Sequence, residues 1–431
     1  MSALSECSKL RQNRSYPFHT FIDSPAMLKL PPLSLYIHIP WCIRKCPYCD
    51  FNSHEKSGDL PIDAYVQALY EDLQNDISFA QGRSIHSIFF GGGTPSLMPA
   101  EAIGTIINNV RSLIPIDRDA EITLETNPGT AEYSNFNKLL HAGINRLSFG
   151  AQSFDDLQLA TLGRIHSSDD IYSAIHKARK DGFSNFNIDL MHGLPGQTVD
   201  GALDDLRKAI KLQPKHISWY QLTIEPNTAF YSAPPILPND NLLADIFIEG
   251  RNLLAEAGFE AYETSAYAQP GYVSRHNQNY WRFGDYLAIG AGAHGKITQR
   301  AAQVNTQRAS QGLDQARAQE PPLGDSHTIF RYQKTRMPND YIQPKRSRTA
   351  KQANIDASDL ALEFLMNALR LDAGVESKLF TERTGRDLTE IQHQLSSLRE
   401  RGLLTSNLQR IQTTARGRLF LNDILGEFVN T

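Results

Sequence analysis

From residue 34 onward, short apolar runs alternate with longer stretches in which apolar residues recur every three or four positions. The runs SLYIHIP (34–40), SIFFGG (87–92), EITLET (121–126), RLSFGAQ (146–152), FNIDLMHG (186–193) and HISWYQLTI (216–224) read as strands. Between the first two, Tyr65, Leu69, Leu73 and Ile77 repeat every four residues and mark one face of a helix. Leu203, Leu206 and Ile210 form a similar stripe further on. Strand, helix, strand repeated about six times predicts a parallel sheet covered by helices. Curled, that sheet is a partial (β/α)6 barrel of the TIM type, with its site built by the loops after the strands' C-terminal ends. Laid open, it is a doubly wound sheet, and periodicity alone does not choose.

The pattern changes elsewhere along the chain. Residues 1–33 are polar and proline-punctuated, an irregular lead-in, and the barrel with its extension is expected over 34–298. Two further strands, EAYETSAYA (260–268) and LAIGAGAH (287–294), extend the sheet. Residues 299–325 are rich in Gln, Ala and Arg and poor in large apolar residues, an exposed insertion followed by a linker over 326–355. In 356–431, Leu388, Ile391, Leu395 and Leu398 form one helical stripe with Gly402 as its stop. A strand-like pair and a last helix, GRLFLNDILGEFV, complete a small winged-helix-like α+β domain.

Composition narrows the class. Hydrophobic content of 41% and charged content of 21% are those of an ordinary globular enzyme. A net charge of −4 gives no reason to expect a general nucleic-acid or membrane-surface binder. No apolar run approaches the length of about eighteen residues that a membrane span needs, and the N-terminus lacks the apolar core of a signal peptide. Four cysteines, three of them clustered, do not resemble a disulfide framework. A cytoplasmic location is the expectation.

The cluster is PWCIRKCPYCDF (40–51), with Cys42, Cys46 and Cys49 just after the first strand. Three thiolates on one short loop can hold three corners of a [4Fe–4S] cube and leave one iron open. The competing use is a structural zinc site completed by His38 or His54. Cys7 reads as an ordinary free thiol. After the second strand, FFGGGTPS (89–96) sets three glycines in a row, whose backbone can approach a ligand and leave its N–H groups unblocked. By itself it is equally a plain tight turn.

Together CIRKCPYC, GGGTP and ETNP resemble the radical S-adenosylmethionine (SAM) enzymes. More narrowly, LSLYIHIPWCIRKCPYCDF, FFGGGTPSLM, RLSFGAQSF, LGRIH and NIDLMHGLPGQT resemble the oxygen-independent coproporphyrinogen III oxidase family, over nearly the whole chain from about residue 32. The resemblance implies a partial radical SAM barrel with a [4Fe–4S] cluster on Cys42, Cys46 and Cys49. It implies S-adenosyl-L-methionine at the open iron, cleaved by an electron from the reduced cluster, and an electron donor protein as a partner. Tyr36 and Tyr48 match residues against that cofactor, and Gly92, Gly93 and Thr94 match the segment holding its amino group. Glu125 matches the carboxylate at the ribose hydroxyls. Gln152, Arg164 and Asp189 match further polar positions around the nucleotide. Each has a plainer reading: Glu125 and Asp189 as caps at strand ends, Arg164 as a surface ion pair, Tyr36 as packing.

Two features move the expectation within the family. The oxidases carry another cysteine two residues after the third, where this chain has Phe51. RHNQNYW (275–281) contains His276-Asn277-x-x-Tyr280, which resembles the HNxxY motif of the family's heme chaperone branch. Imidazole and phenolate are both known axial ligands of heme iron, and the plainer reading is two polar loop residues over Trp281. The branch implies bound heme and acceptor hemoproteins, respiratory enzymes at the membrane among them. The alternatives are the oxidase itself, which decarboxylates coproporphyrinogen III, and a zinc-stabilised binding module. The C-terminal domain offers no basic recognition face, since Glu390 and Glu400 accompany Arg399 and Arg401, so no nucleic-acid partner is expected.

Overall fold

The computed structural model describes residues 28–129, 136–300, 327–343 and 346–429. The lead-in expected over 1–33 and the insertion expected over 299–325 fall almost wholly outside the described residues, as does Cys7.

Strand β1 (Leu33–Ile39) is buried along its length except at Tyr36. Such continuous burial belongs to a central parallel strand covered on both faces. To one side β2 (Ile85–Gly92), β3 (Ile116–Thr126), β4 (Arg146–Gln152), β5 (Phe186–His192) and β6 (His216–Gln221) follow in parallel, each paired to the one before. The crossovers carry α1 (Ile62–Asp76), α2 (Ala100–Leu113), α3 (Phe136–Ala142), α4 (Ser168–Lys180) and α5 (Val199–Lys211). After α6 (Asp240–Glu256), β7 (Glu260–Glu263) and β8 (Ala266–Ala268) close that side in antiparallel register. A short helix, α7 (Arg275–Trp281), then leads to β9 (Asp285–Ile289), which pairs in parallel with the free edge of β1. Strands β10 (His294–Arg300), β11 (His327–Lys334) and β12 (Thr349–Asn354) continue outward as an antiparallel meander. The sheet has twelve strands in the order β12-β11-β10-β9-β1-β2-β3-β4-β5-β6-β8-β7, so it is a partial barrel whose ends do not meet.

The linker expected over 326–355 instead carries β11 and β12 of the main sheet, and three local details also depart from the sequence pattern. EAYETSAYA is a two-strand hairpin, with β7 and β8 paired to each other. LAIGAGAH is a strand end and a turn, because Gly290 (φ 103°) and Gly292 (φ 83°) take left-handed backbone that only glycine adopts without strain. Ile77 leaves its stripe and is 40% exposed, because the α-helix ends at Asp76 and tightens into a 3₁₀ turn that rotates it outward. Tyr65, Leu69 and Leu73 are buried as the pattern requires.

The meander is fastened to the barrel by a buried charge cluster. Lys334 Nζ lies 2.6 Å from Asp72 Oδ1 and 2.7 Å from Asp76 Oδ2 on α1, and Tyr341 donates to Asp72 Oδ2 at 2.5 Å. Removing one member would strand the others without water, at a cost of about 3–5 kcal/mol. The C-terminal region has its own apolar core, formed by Phe364, Phe380, Leu395, Leu398, Ile411 and Phe428 with Phe283 from the turn before β9 and Ile329 from the sheet. Its helices α8 (Leu360–Ala368), α9 (Lys378–Thr384) and α10 (Gln392–Glu400) stand beside a two-residue strand pair, Val375–Glu376 with Arg410–Ile411. The last helix breaks at Phe420 into Ala415–Leu419 and Leu421–Gly426. No helix among the described residues is long and apolar enough to cross a membrane.

Candidate functional site

The cysteine loop leaves β1 at its C-terminal end and is clamped at its base. Trp41 and Cys42 pair with His54 and Glu55, His54 N–H donates to Pro40 O at 2.7 Å, and Lys56 N–H donates to Cys42 O at 2.9 Å. All three thiols are half-buried and line one cavity of about 510 Å³. Burial pushes the Cys42 and Cys49 thiols above their ordinary range, against hydrogen bonds from Ser53 to both. Among the described residues no three His, Cys, Asp or Glu side chains gather around a single ion position. His38 has both ring nitrogens engaged, by Tyr36 OH and Asn52 O, each at 2.9 Å. Sulfurs that face a common space without converging suit a cube, whose irons occupy separate corners.

The glycine segment does something other than its composition promises. Gly93 N–H donates to Ile39 O and Thr94 N–H to Trp41 O, both at 2.7 Å, and Gly92 N–H is given to the Glu125 carboxyl. All three amides are therefore committed within the protein, not held open for a ligand. The partners that use them come from β1, the cysteine loop and β3, far away in sequence. Glycine at 93 is required by proximity, since a Cβ would stand 2.5 Å from Trp41 O and 3.0 Å from Cys42 Sγ. The two motifs thus build each other.

Arg164 bridges the same cavity. Its Nη1 donates to Cys46 Sγ at 3.5 Å and its Nη2 to Gly150 O at 2.8 Å, while its buried Nε has no partner. A cation on a ligand sulfur, with a donor to spare, suits an anionic sulfur-ligated group. Opposite stands Gln152, held at φ 70°, a strained value for a residue with a side chain, with its Oε1 accepting from Tyr220 OH at 2.6 Å. Glu125 projects from the end of β3 and Asp189 from the middle of β5, not from a strand end as the sequence suggested. Desolvation first, and the neighbouring Asp189 second, push Glu125 up to about 8. Burial raises Asp189 as well, opposed by donors including Ser148 Oγ and Asn187 Nδ2, both at 2.8 Å.

Tyr48, Gly92, Gly93, Thr94, Glu125, Gln152, Arg164 and Asp189 all line this cavity with the three cysteines. Tyr36 does not; it faces a second, larger space of about 840 Å³. Phe51, Gly92, Glu125 and Asp189 line both, and Phe51 is 58% exposed, so the residue that departs from the oxidase pattern stands in the partition between them. The chamber's wall is aromatic: Tyr36, Phe89, Tyr280, Trp281, Phe283 and Tyr286. His276 lines it too, but is 1% exposed and fully engaged. Its Nδ1 meets Ser87 Oγ at 3.1 Å, its Nε2 meets Tyr280 OH at 2.7 Å, and its ring stacks on Phe89. Desolvation lowers it to about 3, so the ring is neutral. In this arrangement neither imidazole nitrogen is available to an iron, and Tyr280 is the more exposed member of the pair.

Sequence reasoning passed over Tyr220, Ser148, Asn187 and Ser218, which also face these spaces. The available signal was polar residues alternating on strands that are otherwise apolar, which puts them on the barrel's inner face. Phe89, Tyr286 and the arginines of the meander carried no such signal.

Comparison with known proteins agrees with this geometry. A model of the radical SAM superfamily matches residues 36–209, and a model of the HemN C-terminal domain matches residues 355–420. The heme chaperone HemW of Escherichia coli (strain K12) is 48% identical over 403 residues, 94% of this chain and 100% of that protein. The heme chaperone HemW of Bacillus subtilis (strain 168) is 32% identical over 402 residues, 92% of this chain and 99% of that protein. The solved coproporphyrinogen III oxidase HemN of Escherichia coli, a radical SAM enzyme, superposes with a TM-score of 0.73 over 93% of this chain and 90% of its own, at 23% identity.

Proposed function

The chain belongs to the heme chaperone HemW family of radical SAM proteins, and from that premise we propose that it binds heme and hands it to acceptor hemoproteins. The observation that carries the reading is the pair of adjoining cavities, one with three thiols and one walled by aromatic rings, with Phe51 between them. In the first we place a [4Fe–4S] cluster on Cys42, Cys46 and Cys49 and S-adenosyl-L-methionine beside it; in the second we place heme. When bound, the cluster supplies an open iron and an electron to the sulfonium nucleotide.

The chain's residues then have definite tasks. Arg164 offsets the charge on Cys46 and fixes the loop. Gly92, Gly93 and Thr94 have spent their amides, so what remains to meet the cofactor's ammonium is carbonyl oxygen, the acceptor it needs. Glu125, raised into the physiological range, can donate to a ribose hydroxyl as well as accept from one. Gln152 and Asp189 complete the polar wall, with Tyr48 as its apolar edge. Across the partition, Tyr36 belongs with the heme. Tyr280, the more exposed of the pair, would offer its oxygen to the iron, and His276 stays neutral behind it and positions its ring. The acceptors include respiratory enzymes reached from the cytoplasm, and a separate donor protein reduces the cluster.

The test is anaerobic and uses one sample. Reconstituted protein is loaded with heme and mixed with an apo-hemoprotein, and in parallel is given coproporphyrinogen III, reductant and S-adenosylmethionine. We expect heme to appear in the acceptor and no protoporphyrinogen IX to form. Steady protoporphyrinogen formation without heme transfer would replace this function by the oxidase reaction. Zinc in place of iron and sulfide would replace both by the zinc-stabilised module.

A further inference from the structure

The chamber changes character from wall to mouth. Its inner surface is aromatic, but Phe51, His294 and Arg336 line it while being exposed to solvent, and Arg331 stands beside them half-buried. Arg331 is held in place: its Nη1 donates to Tyr286 OH at 3.0 Å and its Nη2 to Glu363 Oε2 at 2.5 Å. Arg336 is anchored through its backbone and Nε. Asn52 Nδ2 donates to its carbonyl at 2.9 Å, and its Nε reaches Asn52 Oδ1 at 3.4 Å. No carboxylate pairs with the Arg336 guanidinium among the described residues. Asp50 is the one other acid on this exposed rim.

Both guanidiniums bear on one imidazole. His294 is lowered below its ordinary range by burial and then by Arg331 and Arg336, which keeps it neutral between two cations. Two guanidiniums lining one mouth make it attractive to an anion, and Arg336 has no carboxylate partner of its own among the described residues. A planar, apolar ligand with two carboxylates on one edge matches this gradient: rings against the wall, anions at the mouth. Heme carries its two propionates in that way.

Building on the heme reading above, we propose that Arg336 and Arg331 form a carboxylate-recognising entrance to the chamber, each pairing with one propionate of the porphyrin. Guanidinium is suited to the task because its fork presents two parallel donors to a carboxylate. Arg331 is shared with Glu363 of the C-terminal region, so the bound propionate competes with a contact that ties this region to the meander.

The experiment compares heme with its dimethyl ester, which keeps the macrocycle and iron and lacks both carboxylates. The full chain, anaerobically reconstituted, is titrated with each, following the Soret band, as wild type, Arg336→Ala, Arg336→Lys and Arg331→Lys. Wild type should prefer heme by about tenfold or more, the scale of one charge-assisted hydrogen bond. Arg336→Ala should cut the preference for heme by about tenfold without moving the ester, Arg331 keeping the remainder, and both lysine variants should lose less. Equal wild-type affinities for the two ligands would overturn the proposal while leaving heme binding intact. So would an Arg336→Ala loss that is equal for both. Failure of either ligand to bind would overturn the heme function itself, and this entrance with it.

Discussion

The two cavities are neighbours built by opposite means. The smaller one is assembled largely from motifs at or after the ends of β1, β2, β3 and β4, with Asp189 of β5 and Tyr220 of β6, and its polar groups contact one another directly: Arg164 with Cys46, Gly92 with Glu125, Tyr220 with Gln152. The larger one draws Phe89 from β2, Tyr280 from α7, Tyr286 from β9 and Arg331 from β11, segments that meet only because β9 returns to the free edge of β1. The first is polar and rigidly cross-braced. The second is aromatic, with its polar pair, His276 and Tyr280, satisfied internally. The difference teaches that fixed chemistry is confined to the first, where atoms must be placed to a fraction of an ångström, while the second offers area and shape to a large apolar guest.

The sharpest way to break that division is to remove a ligand sulfur. Cys46→Ala should reduce iron and sulfide in reconstituted protein to background while leaving the affinity for heme unchanged; elemental analysis and a Soret titration on one sample measure both. A smaller effect is expected from Glu125→Gln. Replacing the carboxyl, which can ionise against the ribose hydroxyls, by an amide that cannot should weaken S-adenosylmethionine by about tenfold, read by calorimetry, again with no change in heme. If heme affinity fell in step, the partition would not separate two sites.

On the aromatic side, His276→Ala empties a buried stacked ring and strands Tyr280 OH, and should cost about 2–4 kcal/mol of stability. Tyr280→Phe keeps the ring and should cost about 1 kcal/mol, yet should alter the Soret position more than a stability loss of that size would, if its oxygen meets the iron. Denaturant midpoints and the heme spectrum separate the two.

The mildest probe is pH, where the buried histidines and Glu125 carry opposite signs. His38 and His276 are lowered to about 4 and about 3. The unfolded chain takes up protons below about 6.5 that these rings refuse, so their contribution, complete above that value, is lost as pH falls toward their folded values. Glu125 is raised to about 8. Its contribution is complete below the ordinary carboxyl value and is lost as pH rises through 8. Glu125→Gln should therefore flatten the melting-temperature profile between pH 4.5 and about 8 and leave it alone outside that window.

What could be read from the sequence follows the same division. The strand–helix rhythm and the cysteine loop were legible because period and spacing are local properties. The joint lining of Tyr48, Gln152, Arg164 and Asp189 came from family resemblance laid on strand ends, and the barrel brings them together. Illegible were facts decided by distant partners. The amides of the GGGT segment are consumed by Ile39 and Trp41, Tyr36 turns to the second chamber through its bond to His38, and His276 is closed off by Ser87 and Tyr280. Ile77 fell from its stripe because a helix end, not a periodicity, set its direction. The aromatic chamber had no motif because no two of its wall strands carry it alone.

The central claim is that two different guests occupy adjoining spaces at once. The direct measurement is a heme titration of anaerobically reconstituted protein already saturated with S-adenosylmethionine, following the Soret band, the iron–sulfur electron paramagnetic resonance signal and the bound nucleotide together. One heme per chain, taken up with the cluster signal and the nucleotide retained, is the predicted result. Heme that enters only as S-adenosylmethionine leaves would mean a single shared site, and would contradict the account.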